Sequence, residues 1–173
     1  TMACSITRNT PTPPPGVDEK DQNVLVTENR QLGEFTAIDM DGGAKVVLVQ
    51  GNQHSIIVEG SRRVVDQVIT KVNDGVLEIN FRDRILFENW GESLTLTITF
   101  TNLSDFRLDG GVELIADGLN LENLNITING GASVKMNNLL LNTLGMTLLG
   151  GGDIQVSGIA ETQNVKVSGG TSY

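Results

Sequence analysis

The sequence has very few of the side chains that usually build catalytic or metal sites. Its 173 residues include one cysteine, Cys4, and one histidine, His54. A single cysteine excludes an intramolecular disulfide and a cysteine metal cluster. Aromatic residues make up only 4% of the chain, so a folded core must be built from aliphatic side chains. We therefore expect neither a cofactor nor a bound metal.

Positive charge is also scarce. The chain has 12 Lys and Arg against 21 Asp and Glu, which gives a formal net charge of −9. Such a chain repels a phosphate backbone and an anionic membrane surface, so nucleic-acid binding is excluded and direct membrane binding is disfavoured. No apolar run approaches the roughly 20 residues of a membrane-spanning helix.

Proline is confined to the first fifteen residues. Residues 1–23 lack apolar periodicity, and we expect a flexible tail there, followed by a single domain over 24–173. Cys4 follows Ala3, a small residue that suits bacterial lipoprotein processing, so we expect a lipid anchor on Cys4. The alternative is an incidental free cysteine in the tail.

Residues 24–105 have the alternation of a β-rich part. Apolar and polar positions alternate on both sides of Gly42-Gly43 and again around Gly51-Asn52, which predicts three strands. Ile56 and Val58 are expected to pair across the second turn with Ala44, Val46 and Leu48. Valines and Ile69 at helical spacing predict one short helix near 61–73, with Ser61 as its N-cap. Further strands are expected over 76–81 and 94–100.

Glycine, in contrast, is abundant, at 20 of 173 residues. In the C-terminal part, 106–173, glycine pairs recur at spacings of 20, 20 and 19 residues. At this period apolar and polar residues fall into columns. The apolar columns are Phe106, Ile126, Met146 and Val165; Leu108, Ile128, Leu148 and Val167; Leu114, Val134, Ile154 and Tyr173; and Leu119, Leu139 and Ile159.

A period of about twenty residues without a helical run indicates stacked β-coils. Each glycine pair fits a corner where the backbone turns with positive φ. Asp105, Asn125 and Asn164 form a polar corner column, with Gly145 between the last two. The corner of Gly42-Gly43 has the same chemistry, so the N-terminal part is expected to be a degenerate coil. The fold class we predict is all-β, a β-solenoid.

Two groups of side chains are candidate binding residues. Trp90 lies near Arg82 and Arg84 and could stack on a sugar; its alternative is a cap on the end of the core. Arg107 and Lys166 share an outward column with two threonines; its alternative is a solvated β-face.

An enzymatic reading stays open, although the residues favour a non-enzymatic one. Pectin-degrading β-helices need clustered carboxylates, together with histidine or Ca²⁺. In our alignment Glu113 and Asp153 are two coils apart, with Ser133 between them, which is a poor metal site. His54 has no partner close in sequence and is expected to be a surface histidine.

The sequence resembles the putative auto-transporter adhesin head GIN domain family of bacterial envelope proteins. The resemblance rests on FTAIDMDGGAKVVLVQG, VNDGVLEINF, INGGASV, LLGGGDI and VSGGTSY, over roughly residues 33–173. It implies a right-handed, single-stranded β-helix and a place in the bacterial envelope, either periplasmic or exposed at the outer-membrane surface. The family provides no catalytic residues that could be transferred to this chain.

We therefore expect a non-enzymatic adhesin, lipid-anchored through Cys4, that presents a β-face for weak binding of carbohydrate or another envelope protein. The alternative is a pectinase-like polysaccharide lyase or hydrolase. An open solenoid end also predicts self-association, because an unpaired edge strand can add another strand.

Overall fold

The computed structural model describes residues 24–82 and 94–172. These residues are almost entirely β-structure, with one four-residue helix, α1 (Arg62–Val65). The all-β prediction is confirmed. The strands are, in chain order, β1 (Leu25–Gln31), β2 (Ala37–Asp41), β3 (Ala44–Gln50), β4 (Ser55–Ser61), β5 (Val68–Asn73), β6 (Val76–Phe81), β7 (Thr95–Phe100), β8 (Asp105–Asp109), β9 (Val112–Asp117), β10 (Asn120–Asn129), β11 (Ala132–Leu149), β12 (Gly152–Ser168) and β13 (Thr171–Ser172).

The strands form one mixed, open sheet, in the order β1-β4-β7-β3-β9-β11-β10-β8-β2-β6-β5, with β12 added to β11 and β13 added to β12. The pairings of β1 with β4, β4 with β7, and β5 with β6 are antiparallel, and the others are parallel. Two series of paired strands therefore start at the edge strands β1 and β5. The two series meet at β11, and β12 pairs with β11.

The C-terminal part stacks in the predicted register. Phe106 pairs with Ile126, Ile126 with Met146, and Met146 with Val165. The column that begins at Leu108 has the same pairing, and its first three members are at most 1% exposed. Each circuit of the chain thus places its apolar residues directly above those of the previous circuit, and these columns form the core.

The N-terminal glycine corner belongs to the same stack. Ile38 of β2 pairs in parallel with Phe106 of β8, and Val46 of β3 pairs in parallel with Leu114 of β9. Our expected pairing of β3 with β4 is wrong: β3 lies between β7 and β9, and β4 pairs with β1 and β7. The reason is that β7 lies between them, parallel to β3 and antiparallel to β4, so the connection at Gly51-Asn52 does not close a hairpin.

The predicted helix near 61–73 is wrong beyond its first turn. Residues Val68–Asn73 form β5, antiparallel to β6, and Asn73 faces Val76 across Asp74-Gly75. Both turn residues have positive φ, 47° and 77°, as a two-residue hairpin turn requires. The β-branched residues of β5 lose side-chain freedom in a helix and pack well in a strand, so the hairpin prevails.

The two edge strands β1 and β5 are joined by one side chain. The Arg30 guanidinium donates to the carbonyl oxygen of Val68 at 2.7 Å and to Thr70 Oγ1 at 3.3 Å. It also forms an ion pair with Glu28 at 2.8 Å. The hydrogen bond that Arg30 donates to the Glu28 carboxylate lowers the pKa of Glu28 below its ordinary value. Partial burial raises this pKa, with a smaller effect. The sheet is therefore curled, so that its edge strands β1 and β5 lie close enough for the Arg30 side chain to join them.

Candidate functional site

A column of glycines forms one corner of the molecule. Gly42, Gly110, Gly130, Gly150 and Gly169 all have φ between 130° and 150°. A Cβ built on Gly110 would lie 2.5 Å from the carbonyl oxygen of Gly42, and one built on Gly130 would overlap that of Gly110. Only glycine permits both this backbone conformation and this close stacking. The corner therefore exposes backbone where other β-corners carry side chains.

The carboxyl ends of the parallel strands β6, β2 and β8 meet beside this column. Their last residues are Asn80 and Phe81, Asp41, and Asp109, respectively. These side chains and the glycines enclose a groove of about 400 Å³. The Phe81 ring stands over Gly42, so closely that a Cβ there would lie 2.5 Å from the ring. Phe81 thus makes an apolar wall where the glycine column ends.

The polar lining of the groove is held by a ladder of side chains. Asn129 Nδ2 donates to Asp109 Oδ1 at 2.6 Å from the next coil. At the opposite end of β8, Ser104 Oγ donates to Asp105 Oδ2 at 2.6 Å, and Asn125 Nδ2 approaches Asp105 Oδ1 at 3.5 Å. The predicted polar corner is thereby confirmed at Asp105 and Asn125. After accepting one hydrogen bond, the Asp109 carboxylate retains capacity to accept others.

The predicted column of Arg107 and Lys166 exists, but it does not form a basic cluster. The pairing runs from Arg107 through Thr127 and Thr147 to Lys166, so the two cations are three strands apart, roughly 14 Å at the usual strand spacing. On its other side Arg107 is paired with Asp39. The charge of this row therefore changes sign between Asp39 and Arg107, and a binding role for Arg107 and Lys166 stays a prediction.

Other expected site residues are separate from the groove or outside the described residues. Arg82 follows Phe81 directly; its backbone N–H donates to the carbonyl oxygen of Gln67 at 3.1 Å, and its side chain is exposed. Arg84, Trp90 and the lipidation candidate Cys4 lie outside the described residues.

Two of the side chains considered for a catalytic role, His54 and Glu113, interact with other residues. His54 Nε2 lies 3.3 Å from Thr101 Oγ1, and its ring packs edge-on against Phe35 at 4.9 Å. Lys45 Nζ forms an ion pair with Glu113 at 3.4 Å. Within residues 24–82 and 94–172, no three His, Cys, Asp or Glu side chains come together in a way that could hold a metal. The same two ranges contain no helix both long and apolar enough to span a bilayer.

A second concavity, of about 450 Å³, lies at another corner of the coil and is lined by amides. Its polar side chains include Asn102, Asn120, Glu122 and Asn142, next to Leu140. Gln50 is hydrogen-bonded to the backbone of Asn120 on both sides, accepting at 2.7 Å and donating at 2.8 Å. Among the described residues, no aromatic side chain lines this second concavity, which therefore provides an internal comparison for the corner groove.

Sequence reasoning missed the groove for two different reasons. Asp41 and Asp109 each precede a glycine pair, so the alignment of the corners could have identified them as neighbours. Asn80 and Phe81 could not be found in this way, because β6 has no glycine pair and lies outside the repeat. Only the parallel pairing of β6 with β2 brings them to the corner.

Solved structures with the same fold come from Parabacteroides distasonis ATCC 8503. One, described as a putative lipid binding protein, has a TM-score of 0.63 at 17% identity and covers 86% of this chain and 73% of that chain. Another, described as a putative adhesin, has a TM-score of 0.52 at 14% identity and covers 86% and 80%, respectively. At such identities the likeness shows the fold alone.

No curated protein matches the sequence. Residues 34–173 match the profile of one family, which confirms the resemblance seen in the glycine motifs. The chain belongs to the family described as "Putative auto-transporter adhesin, head GIN domain".

Proposed function

We propose that the protein is a non-enzymatic adhesin of the bacterial envelope that binds an uncharged carbohydrate in the corner groove. The observation that carries this proposal is the convergence of Asp41, Asn80, Asp109 and the Phe81 ring at one glycine-lined corner. A concave site with an apolar wall and a few convergent polar groups is the usual form of a small-ligand site.

The lining suits the two faces of a sugar. Carboxylate oxygens accept hydrogen bonds from hydroxyl groups, and the Asn80 amide can both donate and accept. The Phe81 ring, which is 9% exposed, gives the wall a small apolar surface for sugar C–H groups. The stacked glycines let a ligand approach the backbone without a side chain in the way.

The charge of the groove favours uncharged sugars over acidic polysaccharides. Both ionisable side chains that line it are carboxylates, and the whole chain has a formal net charge of −9. An anionic polymer such as polygalacturonate would bring like charges together, which disfavours its binding. This electrostatic argument weighs against the pectinase-like alternative.

The finer description of the fold and the location are part of the same proposal. We propose that the stacked circuits are coils of a right-handed β-solenoid, because parallel crossovers are right-handed in about 98% of cases. The in-register parallel pairing of β8, β10, β11 and β12 supports this winding. The family description supports a surface role, with lipid attachment at Cys4 as the proposed anchor.

A binding experiment with matched variants tests the site. A glycan array of neutral and acidic oligosaccharides, followed by calorimetry of the best neutral ligand, should show weak binding that Asn80→Ala and Asp109→Asn lower about tenfold, the effect of one lost hydrogen bond. Asn142→Ala, which lines the second concavity, should bind like the wild type.

Three outcomes would reject the proposal. No binding to any glycan on the array would remove carbohydrate as the ligand. Loss of binding in Asn142→Ala alone would place the ligand in the second concavity. Release of reducing or unsaturated ends from polygalacturonate, with or without Ca²⁺, would instead support the enzymatic alternative.

A further inference from the structure

A row of outward side chains leads out of the corner groove across the parallel strands. Asp41 pairs with Asp109, Asp109 with Asn129, Asn129 with Leu149, and Leu149 with Ser168. In the first four of these strands the preceding residue is buried, so the side chains of the row face outward. Neighbours in the row are one strand spacing apart, roughly 4.8 Å. The groove is therefore the beginning of a longer row, which continues over β10 and β11.

Leu149 is the apolar member of this polar row. It is 45% exposed, and it occupies the position at which the preceding coils have Asp109 and Asn129. Its side chain points away from the core, so its apolar surface does not add to the core. It lies two strands from Asp109, roughly 10 Å at the usual strand spacing. An apolar contact is thus available at a fixed distance from the carboxylate of the groove.

Threonines lie beside the row on the same face. Thr127 and Thr147 precede Asn129 and Leu149 by two residues, and they are paired with each other. Both are partly exposed. Residues two apart in a strand share a face and are roughly 6.6 Å apart, so the two hydroxyl groups flank the row. These four residues, the outward strip, therefore offer hydrogen-bonding groups and apolar surface without a formal charge.

We propose that the ligand of the corner groove is a linear, neutral oligosaccharide of at least three sugar units. One end of the chain occupies the groove, and the next units cross Asn129 and reach Leu149. The strand spacing is close to the length of one pyranose unit in an extended chain, so successive units meet successive strands. Sugar rings have hydroxyl groups at their rims and C–H groups on their faces, which match a strip of amide, hydroxyl and leucine side chains. This inference rests on the proposed function and extends its site.

The charges on the two sides of the groove favour this direction. On the other side the groove leads from Asn80 of β6 to Ile69 of β5, which is 40% exposed. The residues beside it there are Glu78 and Lys71, which are paired with each other. A neutral sugar that covers charged groups removes water from them without supplying an opposite charge, which costs free energy. The outward strip has uncharged side chains at the corresponding positions, so the ligand runs over β10 and β11.

Binding as a function of chain length tests the direction and extent of the ligand. Calorimetry and ligand-observed NMR of the full chain would use cello-, manno- and xylo-oligosaccharides of one to five sugar units. For the series that binds best, the affinity should rise at least about tenfold from one unit to three. Leu149→Ala should lower the affinity for the trisaccharide about fivefold and leave that for the monosaccharide unchanged, because it removes only the distant apolar contact.

Two further variants separate the groove from the outward strip. Ile69→Ala is the matched control, because it truncates an apolar side chain of similar exposure on the other side of the groove; it should bind every length like the wild type. Asn80→Ala should weaken the binding of every length equally, because it changes the groove itself. The amide NMR signals of Asn129 and Leu149 should shift with the trisaccharide and not with the monosaccharide.

The outcomes distinguish this inference from the proposed function. Equal affinity at all lengths, or a trisaccharide affinity unaffected by Leu149→Ala, would overturn the extended site while Asn80→Ala still reports binding in the groove. A loss of affinity in Ile69→Ala instead of Leu149→Ala would overturn the direction, and binding of branched glycans alone would overturn the linear ligand. Binding of no sugar at all would reject the proposed function and this inference with it.

Discussion

Single residues matter most where backbones stack without side chains between them. At the glycine corner each carbonyl oxygen occupies the place that a Cβ of the next coil would take. The constraint applies to the first glycine of each pair. In the middle of the column the second glycine has more room: a Cβ on Gly131 would lie 3.8 Å from its nearest neighbour, the carbonyl oxygen of Gly151.

This difference predicts opposite outcomes for two adjacent alanine substitutions. Gly130→Ala should destabilise the fold by about 3 kcal/mol, because Gly130 has φ of 136° and its new Cβ would overlap the carbonyl oxygen of Gly110. Gly131→Ala should change the free energy of unfolding by less than about 1 kcal/mol. Urea unfolding of both variants measures the difference; equal effects would contradict a stacked corner.

The glycine period makes the corner visible in the sequence, and the residues before each pair follow from it. The predicted apolar column of Leu119, Leu139 and Ile159 is nevertheless wrong at its last member. Ile159 pairs with Leu140 instead of Leu139, and it is 68% exposed. The third repeat is one residue shorter, and the register shifts between Met136 and Leu139, where Asn138 takes φ of 53°. A one-residue slip moves a side chain to the other face, so the position of the missing residue decides which side chain is buried.

At the scale of elements, antiparallel strands cover the start of the parallel stack. Alternation of apolar residues predicts β2, β3, β6 and β7, but it does not reveal their partners, because a glycine corner and a hairpin turn leave the same local pattern. For β5 the local signals conflict: the valine spacing suggests a helix, whereas the Asp74-Gly75 turn favours a hairpin. The partner strand β6 decides between them.

The Arg30 side chain should be the main link between the two edge strands. Arg30→Ala removes its hydrogen bonds to Val68 and Thr70 and should lower the free energy of unfolding by about 2 kcal/mol, since hydrogen bonds to charged groups are stronger than neutral ones. Arg62→Ala, which changes an exposed arginine of α1, is the control and should have little effect.

Thermal unfolding and hydrogen exchange would measure both variants. Faster exchange confined to β1 and β5 in Arg30→Ala would support the link. A loss of stability without any local change in exchange at these strands would contradict it.

At the scale of the whole molecule, stability should fall along the parallel stack towards β12. Each coil contacts only its neighbours, and within the described residues burial decreases along one inward column: Ile126 and Met146 are buried, whereas Val165 is only partly buried. At low protein concentration, amide protection should decrease from Ile126 through Met146 to Val165, and measurement by NMR would reveal the gradient. Uniform protection of the three amides would show that the stack opens as a single unit.

The in-register parallel stack also has a consequence for how such proteins change length. Every coil offers its successor the same corner, the same inward columns and the same backbone groups, so an internal duplication of residues 125–144 would insert a layer about 4.8 Å thick and leave both ends as they were. Chains with this fold can therefore differ in length by whole coils, while the corner groove beside β6, β2 and β8 stays the same.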